Sequence, residues 1–274
     1  MAKSYGFCFG VKRAIKIAES AGEAATIGEL IHNAEEINRL RQNFGVKTLE
    51  GVSEITDEQK LIIRTHGIQK DDLQRLKAQN KELIDATCPF VTKPQQIVEK
   101  MSAEGYDIVI FGDKNHPEVK GVKSYAKSRV FVIMDTKELQ DVKLGSRVAL
   151  VSQTTKKIES FTKIADFLMQ RARELRIFNT ICNATLENQE AVKSLSQKAD
   201  VMIIVGGKNS SNTKQLFLIS QNFCKDSYLI ENESELERSW FENKRLCGIS
   251  AGASTPDWII KKVVARIENL TQNL

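Results

Sequence analysis

The sequence has little proline and histidine, and it has no long apolar run. Of its 274 residues, 4 are proline and 3 are histidine, so no proline-rich linker is expected between domains. No stretch approaches the roughly 18 consecutive apolar residues that indicate a membrane-spanning helix. The N-terminus lacks the apolar segment of a signal peptide. We therefore expect a cytoplasmic protein that does not enter the membrane.

The sequence also lacks a long run of charges of one sign. The formal net charge is +5, and the lysines and arginines are scattered, which argues against a nucleic-acid partner. A modest positive balance suits an anionic substrate or an acidic protein partner. Nucleotide-binding motifs are absent as well, because the glycine-rich turn at Gly206 lacks the Lys-Ser/Thr ending of a phosphate-binding loop.

Five cysteines are present, an odd number at wide spacing. In a reducing compartment this pattern does not indicate disulfides, and the closely paired cysteines of a structural zinc site are missing. Three of them, Cys8, Cys88 and Cys182, are 80 and 94 residues apart, and each opens a copy of one pattern. Cys224 and Cys247 fall outside this register, so we expect them to be buried packing residues.

Each copy continues with a helix-like stretch, a strand and a glycine. The fourth residue after that glycine is His32, His116 or Ser210. Short β-branched runs alternate with amphipathic stretches, which predicts parallel sheets with helices on both faces. We predict an α/β protein of three pseudo-symmetric repeats, residues 1–88, 89–181 and 182–274.

A second polar turn follows a later strand in each copy, at His66, at residues 153–155 and at residues 252–254. These turns lie at the carboxyl ends of parallel strands, where open α/β sheets bind ligands. All three histidines of the chain fall in the polar turns, and imidazoles donate hydrogen bonds to anions. The turn at 208–213 and the predicted helix start at Thr255, its N-cap, suit phosphate.

One carboxylate, Glu118, comes directly after a histidine turn. A surface position in the first turn of a helix is the ordinary interpretation. If the turn faces the centre of the repeats, Glu118 is a candidate proton donor beside Thr154. The three repeated cysteines could bind zinc or an iron–sulfur cluster, and a cubane cluster held by three cysteines keeps one iron open.

Taken together, these motifs resemble those of the 4-hydroxy-3-methylbut-2-enyl diphosphate reductases, the IspH/LytB family of isoprenoid biosynthesis. The resemblance covers nearly the whole chain. The motifs are Gly6-Phe-Cys-Phe-Gly-Val, Ile31-His-Asn, Thr65-His-Gly, Asp85-Ala-Thr-Cys-Pro, Asn115-His-Pro-Glu-Val, Ser152-Gln-Thr-Thr, Cys182-Asn-Ala-Thr, Lys208-Asn-Ser-Ser-Asn and Ser250-Ala-Gly-Ala-Ser-x-Pro-Asp.

The resemblance implies a trefoil of three α/β domains around a central iron–sulfur cluster. It implies that Cys8, Cys88 and Cys182 hold one 4Fe–4S cluster per chain. It assigns proton delivery to Glu118 and Thr154. The implied substrate-binding residues, which surround the diphosphate, are His32, His66, Ser210, Asn212 and Ser254, with His116 and Ser211 nearby.

The implied activity is the reductive dehydroxylation of (E)-4-hydroxy-3-methylbut-2-enyl diphosphate. Its products are isopentenyl and dimethylallyl diphosphate, and this is the last step of the non-mevalonate pathway. The implied electron donor is a ferredoxin or flavodoxin. From the residues alone two alternatives stay open, a non-catalytic iron–sulfur sensor and a three-cysteine zinc hydrolase.

Overall fold

In the computed structural model, which describes residues 1–272, helices alternate with strands along the chain. The strands are β1 (Ala24–Ile27), β2 (Val46–Leu49), β3 (Lys60–Ile63), β4 (Glu82–Asp85), β5 (Asp107–Phe111), β6 (Val130–Ile133), β7 (Arg147–Ser152), β8 (Glu174–Ile177), β9 (Val201–Val205), β10 (Ser227–Ile230) and β11 (Cys247–Ala251). The helices are α1 (Phe9–Ala21), α2 (Ala34–Phe44), α3 (Lys70–Lys77), α4 (Pro89–Ala103), α5 (Pro117–Lys123), α6 (Ile158–Met169), α7 (Asn183–Ser196), α8 (Ser211–Gln221) and α9 (Asp257–Thr271).

The strands form small parallel sheets, as the sequence predicts. Their orders are β2-β1-β3-β4, β6-β5-β7-β8 and β10-β9-β11, and the pairs are parallel. The α/β class is therefore confirmed. Each sheet falls within one of the three predicted repeats, while the boundaries at residues 88 and 181 stay a prediction. Within residues 1–272, no helix has the length and apolar character to cross a bilayer.

The described chain divides into two compact bodies. The first body comprises residues 1–12 and 31–39 and the described chain from residue 183 onwards, and it contains the sheet β10-β9-β11. The second body comprises residues 13–30 and 40–182 and contains the other two sheets.

In the first body the core lies on both sides of β9. Val201, Ile203 and Val205 pack with residues of α9, whereas Met202 and Ile204 pack with residues of α7 and α8. Successive side chains of a strand point to opposite faces, so a continuous apolar run is the pattern of a strand covered on both sides. Helices on both faces are thereby confirmed for this sheet.

In the second body each sheet has its own apolar cluster. Residues of β5 and β7 pack against α4 and α5, and residues of β1 and β3 pack against α3. The central strands supply the most buried side chains, so their carboxyl ends are rigid points from which the polar turns extend.

The third sheet has one strand fewer than the other two, and the N-terminal segment runs along its open edge. Backbone N–H groups donate to carbonyl oxygens that follow or belong to β11: Ala2 to Ile249, Gly6 to Ala251 and Cys8 to Ala253, at 2.8, 3.1 and 3.2 Å. In the other sheets this place is taken by β4 or β8. The residues before Cys8 thus serve the third sheet as a fourth strand serves the others.

Candidate active site

Each of the three repeated cysteines lies directly before a helix, α1, α4 or α7, and each is half-buried. Their backbone N–H groups make equivalent hydrogen bonds to second polar turns. Cys88 donates to the carbonyl of Thr65 and Cys182 to that of Thr154, both at 3.0 Å, while Cys8 donates to that of Ala253 at 3.2 Å. The backbone therefore gives all three cysteines one local setting.

The chemistry of this setting suits a metal-bound thiolate. The N-terminus of a helix carries a partial positive charge, which stabilises a thiolate just before it. At the other two cysteines, burial raises the pKa of Cys247 to about 11 and also raises the pKa of Cys224. Cys224 lies in the apolar cluster beside α8, and Cys247 packs against the cluster beside α9. The prediction that both are buried packing residues is confirmed for Cys224, whereas Cys247 packs against its cluster but is only half-buried.

In the second body, Glu118 and Thr154 form a buried pair. The Glu118 side chain is 1% exposed, although it belongs to the first turn of α5. The Thr154 backbone N–H donates to Glu118 Oε1 and the Thr154 hydroxyl donates to Oε2, both at 2.7 Å. The ordinary interpretation of Glu118 as a surface residue is therefore wrong.

The buried position changes the acidity of this carboxyl group. Desolvation raises the pKa of Glu118, and the two hydrogen bonds from Thr154 together with the nearby charge of Lys156 act in the opposite direction. Burial prevails because a charged carboxylate loses more hydration than these bonds replace. A raised pKa keeps the proton on the carboxyl closer to neutral pH, which is what a general acid requires.

His116 and His66 lie next to each other in the second body. Their ring centroids are 5.3 Å apart, with the rings edge to face. His116 is the N-cap of α5, and its Nδ1 accepts a hydrogen bond of 3.2 Å from the backbone N–H of Glu118. A neutral imidazole that accepts at Nδ1 carries its proton on Nε2, so this ring presents a donor there.

In the first body, the turn at His32 is fixed to the turn at Ser254. The Ser254 hydroxyl donates to the His32 carbonyl at 3.0 Å. A Cβ on Gly207 would come 2.6 Å from the same carbonyl, so glycine is needed for this close approach. Ser210 is the N-cap of α8, where its hydroxyl accepts from the N–H of Thr213 at 3.3 Å.

Asn212, in the first turn of α8, carries polar atoms without partners. Its side chain is 4% exposed, and within residues 1–272 neither Oδ1 nor Nδ2 has a hydrogen-bond partner. A buried amide in this state is costly. The cost is relieved when a ligand supplies the bonds, so the amide and the helix N-terminus together suit an anion.

The prediction of Thr255 as a helix N-cap is wrong. Thr255 does not cap α9, which begins at Asp257 with Pro256 at the N-cap and without a side-chain cap. The Thr255 hydroxyl donates instead to the carbonyl of Val205 at 3.0 Å. A carbonyl at the end of a neighbouring strand is a tertiary partner, which helix-cap patterns do not anticipate.

The predicted site residues are distributed over both bodies. Those of the first body are Cys8, His32, Ser210, Ser211, Asn212 and Ser254, and those of the second are Cys88, Cys182, His66, His116, Glu118 and Thr154. Within the second body the structure brings His66 to His116 and Glu118 to Thr154. Within the first it brings Ser254 to His32.

For two residues beside the Glu118–Thr154 pair, Gln153 and Lys156, the sequence motifs predicted no role. The buried side chain of Gln153 accepts from the N–H of Asp113 at 3.0 Å and donates to the Thr155 hydroxyl at 3.2 Å. Lys156 is buried, and desolvation lowers its pKa although Asp113 and Glu118 oppose the shift. Both residues follow the end of β7, and this position after a strand was the one sequence feature that could have indicated them.

Comparison with known proteins gives full-length matches. A family model described as LytB protein matches residues 1–268. A protein of Campylobacter hominis is 75% identical over 270 residues, which is 98% of each chain. A protein of Campylobacter jejuni subsp. jejuni is 64% identical over 273 residues, covering 100% of this chain and 99% of the relative. Both relatives are named 4-hydroxy-3-methylbut-2-enyl diphosphate reductase.

Solved structures match as well. A structure described as (E)-4-hydroxy-3-methyl-but-2-enyl diphosphate reductase, the terminal enzyme of the non-mevalonate pathway, is 42% identical, covers 98% of both chains and has a TM-score of 0.72. The E-1-hydroxy-2-methyl-but-2-enyl-4-diphosphate reductase of Plasmodium falciparum is 28% identical and has a TM-score of 0.92, covering 99% of this chain and 88% of that one.

Proposed function

Since this chain belongs to the LytB protein family, we propose how its residues reduce (E)-4-hydroxy-3-methylbut-2-enyl diphosphate, the terminal reaction of the non-mevalonate pathway. The reaction replaces an allylic hydroxyl by hydrogen. Two electrons and two protons enter, the C–O bond breaks, the hydroxyl leaves as water, and a new C–H bond forms. Protonation at either of two carbons gives isopentenyl or dimethylallyl diphosphate.

We assign the cofactor ligands to Cys8, Cys88 and Cys182. Their equivalent backbone settings before three helices support one 4Fe–4S cluster per chain within a trefoil arrangement of the repeats. When bound, such a cluster supplies electrons singly and offers an open iron as a Lewis acid. Cys224 and Cys247 pack in or against apolar clusters, where burial raises the pKa of both thiols and so disfavours the thiolate that binds metal.

We assign the diphosphate to the polar turns and helix starts. The N-terminus of α8, with Ser210, Ser211 and the buried amide of Asn212, supports anion binding in the first body together with His32 and Ser254. His66 and His116 add imidazole donors in the second. Binding the diphosphate at one end of a small substrate also restricts the position of the allylic hydroxyl at the other end. Binding energy from the part that does not react is thereby used to orient the part that does.

The buried Glu118–Thr154 pair is the observation that carries the catalytic assignment. The Thr154 hydroxyl donates to Glu118 Oε2 at 2.7 Å. When Oε2 is protonated this hydrogen bond reverses, so that Oε2–H donates to the hydroxyl oxygen and can pass its proton to it. Thr154 can hand on its own hydroxyl proton, so the departing oxygen leaves as water. The raised pKa of Glu118 extends to higher pH the range in which this donor holds its proton.

The electron donor in this proposal is a ferredoxin or flavodoxin. The positive net charge of +5 suits an acidic redox partner. The cytoplasmic location expected from the sequence stays a prediction. The activity of the relatives favours the reductase over the sensor and zinc-hydrolase alternatives.

The first test of the mechanism is the Glu118→Gln variant. Anaerobically reconstituted protein should contain about four irons, and with a one-electron reductant it should convert the allylic diphosphate into both five-carbon products. Glu118→Gln keeps the shape of the side chain but has no acidic proton, so turnover should fall about 100-fold or more. Iron content and pyrophosphate affinity should stay at the wild-type values.

The matched control is Glu104→Gln. Glu104 is an exposed carboxylate of the same body, paired with Arg176 at 3.2 Å, and its replacement should leave turnover unchanged. Wild-type turnover in Glu118→Gln would remove Glu118 from the mechanism. Colourless wild-type protein with bound zinc would remove the cluster.

A further inference from the structure

A buried carboxylate of the first body has no part in the mechanism above. Glu36, in the first turn of α2, is 1% exposed. Its Oε2 accepts from Arg39 Nε and from Trp258 Nε1, both at 2.9 Å, and its Oε1 accepts from Arg39 Nη2 at 2.6 Å. A buried carboxylate is tolerated only with such partners.

The partners of Glu36 belong to two helix starts. Asn33 caps α2 by accepting from the backbone N–H of Glu36 at 3.0 Å, so the residue next to His32 is tied to Glu36. Trp258 is the second residue of α9, which begins shortly after Ser254. The carboxylate therefore bridges the first turn of α2 to the first turn of α9.

The Glu36–Trp258 hydrogen bond has the same sequence separation as the hydrogen bond between the two polar turns. The Ser254–His32 and Trp258–Glu36 hydrogen bonds each join residues 222 positions apart. One joins the turns, and the other joins the helices one turn further on. A second hydrogen bond at the start of α2, from Asn232 Nδ2 to Glu35 Oε1 at 3.2 Å, holds the same end of the helix.

We propose that Glu36 and Trp258 are positioning residues that hold the His32 and Ser254 turns at the spacing required to bind the substrate's diphosphate. This inference rests on the proposed function, because the spacing of the two turns matters only if they bind the diphosphate. Neither side chain touches the reacting atoms in this scheme. Their loss should weaken diphosphate binding and leave the chemical step intact.

The test uses Trp258→Phe, which removes the indole N–H and keeps an aromatic ring under Lys262, whose Nζ lies 5.0 Å from the ring centroid. The KM for the allylic diphosphate and the Kd for inorganic pyrophosphate, measured by calorimetry, should both rise about tenfold. The kcat should stay within about twofold, since a uniform loss of binding raises KM alone. Glu36→Gln should raise both constants as well. Because both changes remove the same hydrogen bond, the double variant should bind pyrophosphate about as tightly as either single variant.

Trp240→Phe is the matched control. The chain has 2 tryptophans, and Trp240 stacks on Tyr228 with ring centroids 3.9 Å apart in the same body. This variant should bind pyrophosphate like the wild type. Equal weakening in both variants, or wild-type affinity in folded Trp258→Phe and Glu36→Gln, would overturn the positioning role. Failure of the wild-type protein itself to bind pyrophosphate or turn over substrate would instead reject the proposed function.

Discussion

At Glu118, burial and hydrogen bonding shift the pKa of the carboxyl group in opposite directions. Its pKa is raised because desolvation outweighs the hydrogen bonds from the Thr154 backbone and hydroxyl. A group whose pKa is raised on folding stabilises the fold at low pH, and that contribution is lost as pH rises through the folded pKa. The same shift extends the range in which the carboxyl is a proton donor, so turnover should fall as pH rises through this pKa.

The Thr154→Val variant separates the two roles of the threonine. Removing the hydroxyl removes one bond that lowers the pKa of Glu118, so the alkaline fall in turnover should move to higher pH. The maximal rate should drop about 100-fold because the relay is broken. A kcat profile from pH 6 to about 9.5 measures both effects.

Thr154→Ser is the control for this experiment, because it retains the hydroxyl and should reproduce the wild-type profile. If Thr154→Val kept the wild-type kcat and the wild-type alkaline fall in kcat, proton transfer through the Thr154 hydroxyl would be contradicted.

At the scale of elements, the beginning of α8 depends on two adjacent glycines for different reasons. Gly206 has a φ of +149°, a conformation that side-chain-bearing residues rarely adopt. Gly207 is needed for space, because a Cβ there would lie 2.6 Å from the backbone carbonyl of His32. Backbone cannot yield as a flexible side chain can, so this contact fixes how closely the His32 turn approaches α8.

We expect Gly207→Ala to displace the His32 turn. Overpacking of this kind costs about 1–3 kcal/mol of unfolding free energy, and pyrophosphate binding should weaken because the turn moves away from α8. Gly51→Ala is the control, since a Cβ there meets nothing within 4 Å. Denaturant unfolding and calorimetry on both variants measure the two effects. Equal behaviour of the two variants would show that the close approach is not required.

The elements themselves were largely predictable from the sequence. The apolar runs at 108–111 and 201–205 fall in β5 and β9, because a strand covered on both faces is apolar along nearly its whole length. The turns were predictable as places for polar groups, since they follow strand ends. The cap at Thr255 was mispredicted, because its hydroxyl finds a carbonyl of another strand. Local patterns contain no information about such distant acceptors.

At the scale of the whole molecule, the N-terminal segment completes the sheet formed by the last part of the sequence. Ala2, Gly6 and Cys8 donate to residues 249–253, so the first metal-ligand candidate is held by β11 and the turn that follows it. Helix α2 is likewise joined to the last part of the sequence, because Trp258 of α9 donates a hydrogen bond to Glu36. The third sheet therefore gains its fourth extended segment from the start of the chain.

Hydrogen exchange tests this closure. Terminal residues usually exchange quickly because few of them are tied down. We expect the amides of Gly6 and Cys8 to exchange slowly, on the timescale of Met202 in the central strand β9, because each is hydrogen-bonded beside a buried strand. Exchange at Gly6 and Cys8 as rapid as at the exposed Lys3 would contradict the pairing.

The sequence by itself determined the α/β class, the repeated cysteines and the set of polar turns, because strand periodicity, turn chemistry and spacing are local properties. It also drew attention to Glu118 and Thr154, which lie 36 residues apart. Only the tertiary structure decided that this carboxyl is buried with two hydrogen bonds, and that Glu36 and Trp258 meet across 222 residues. Burial and long-range pairing depend on which surfaces pack together, and no single segment of the chain specifies that.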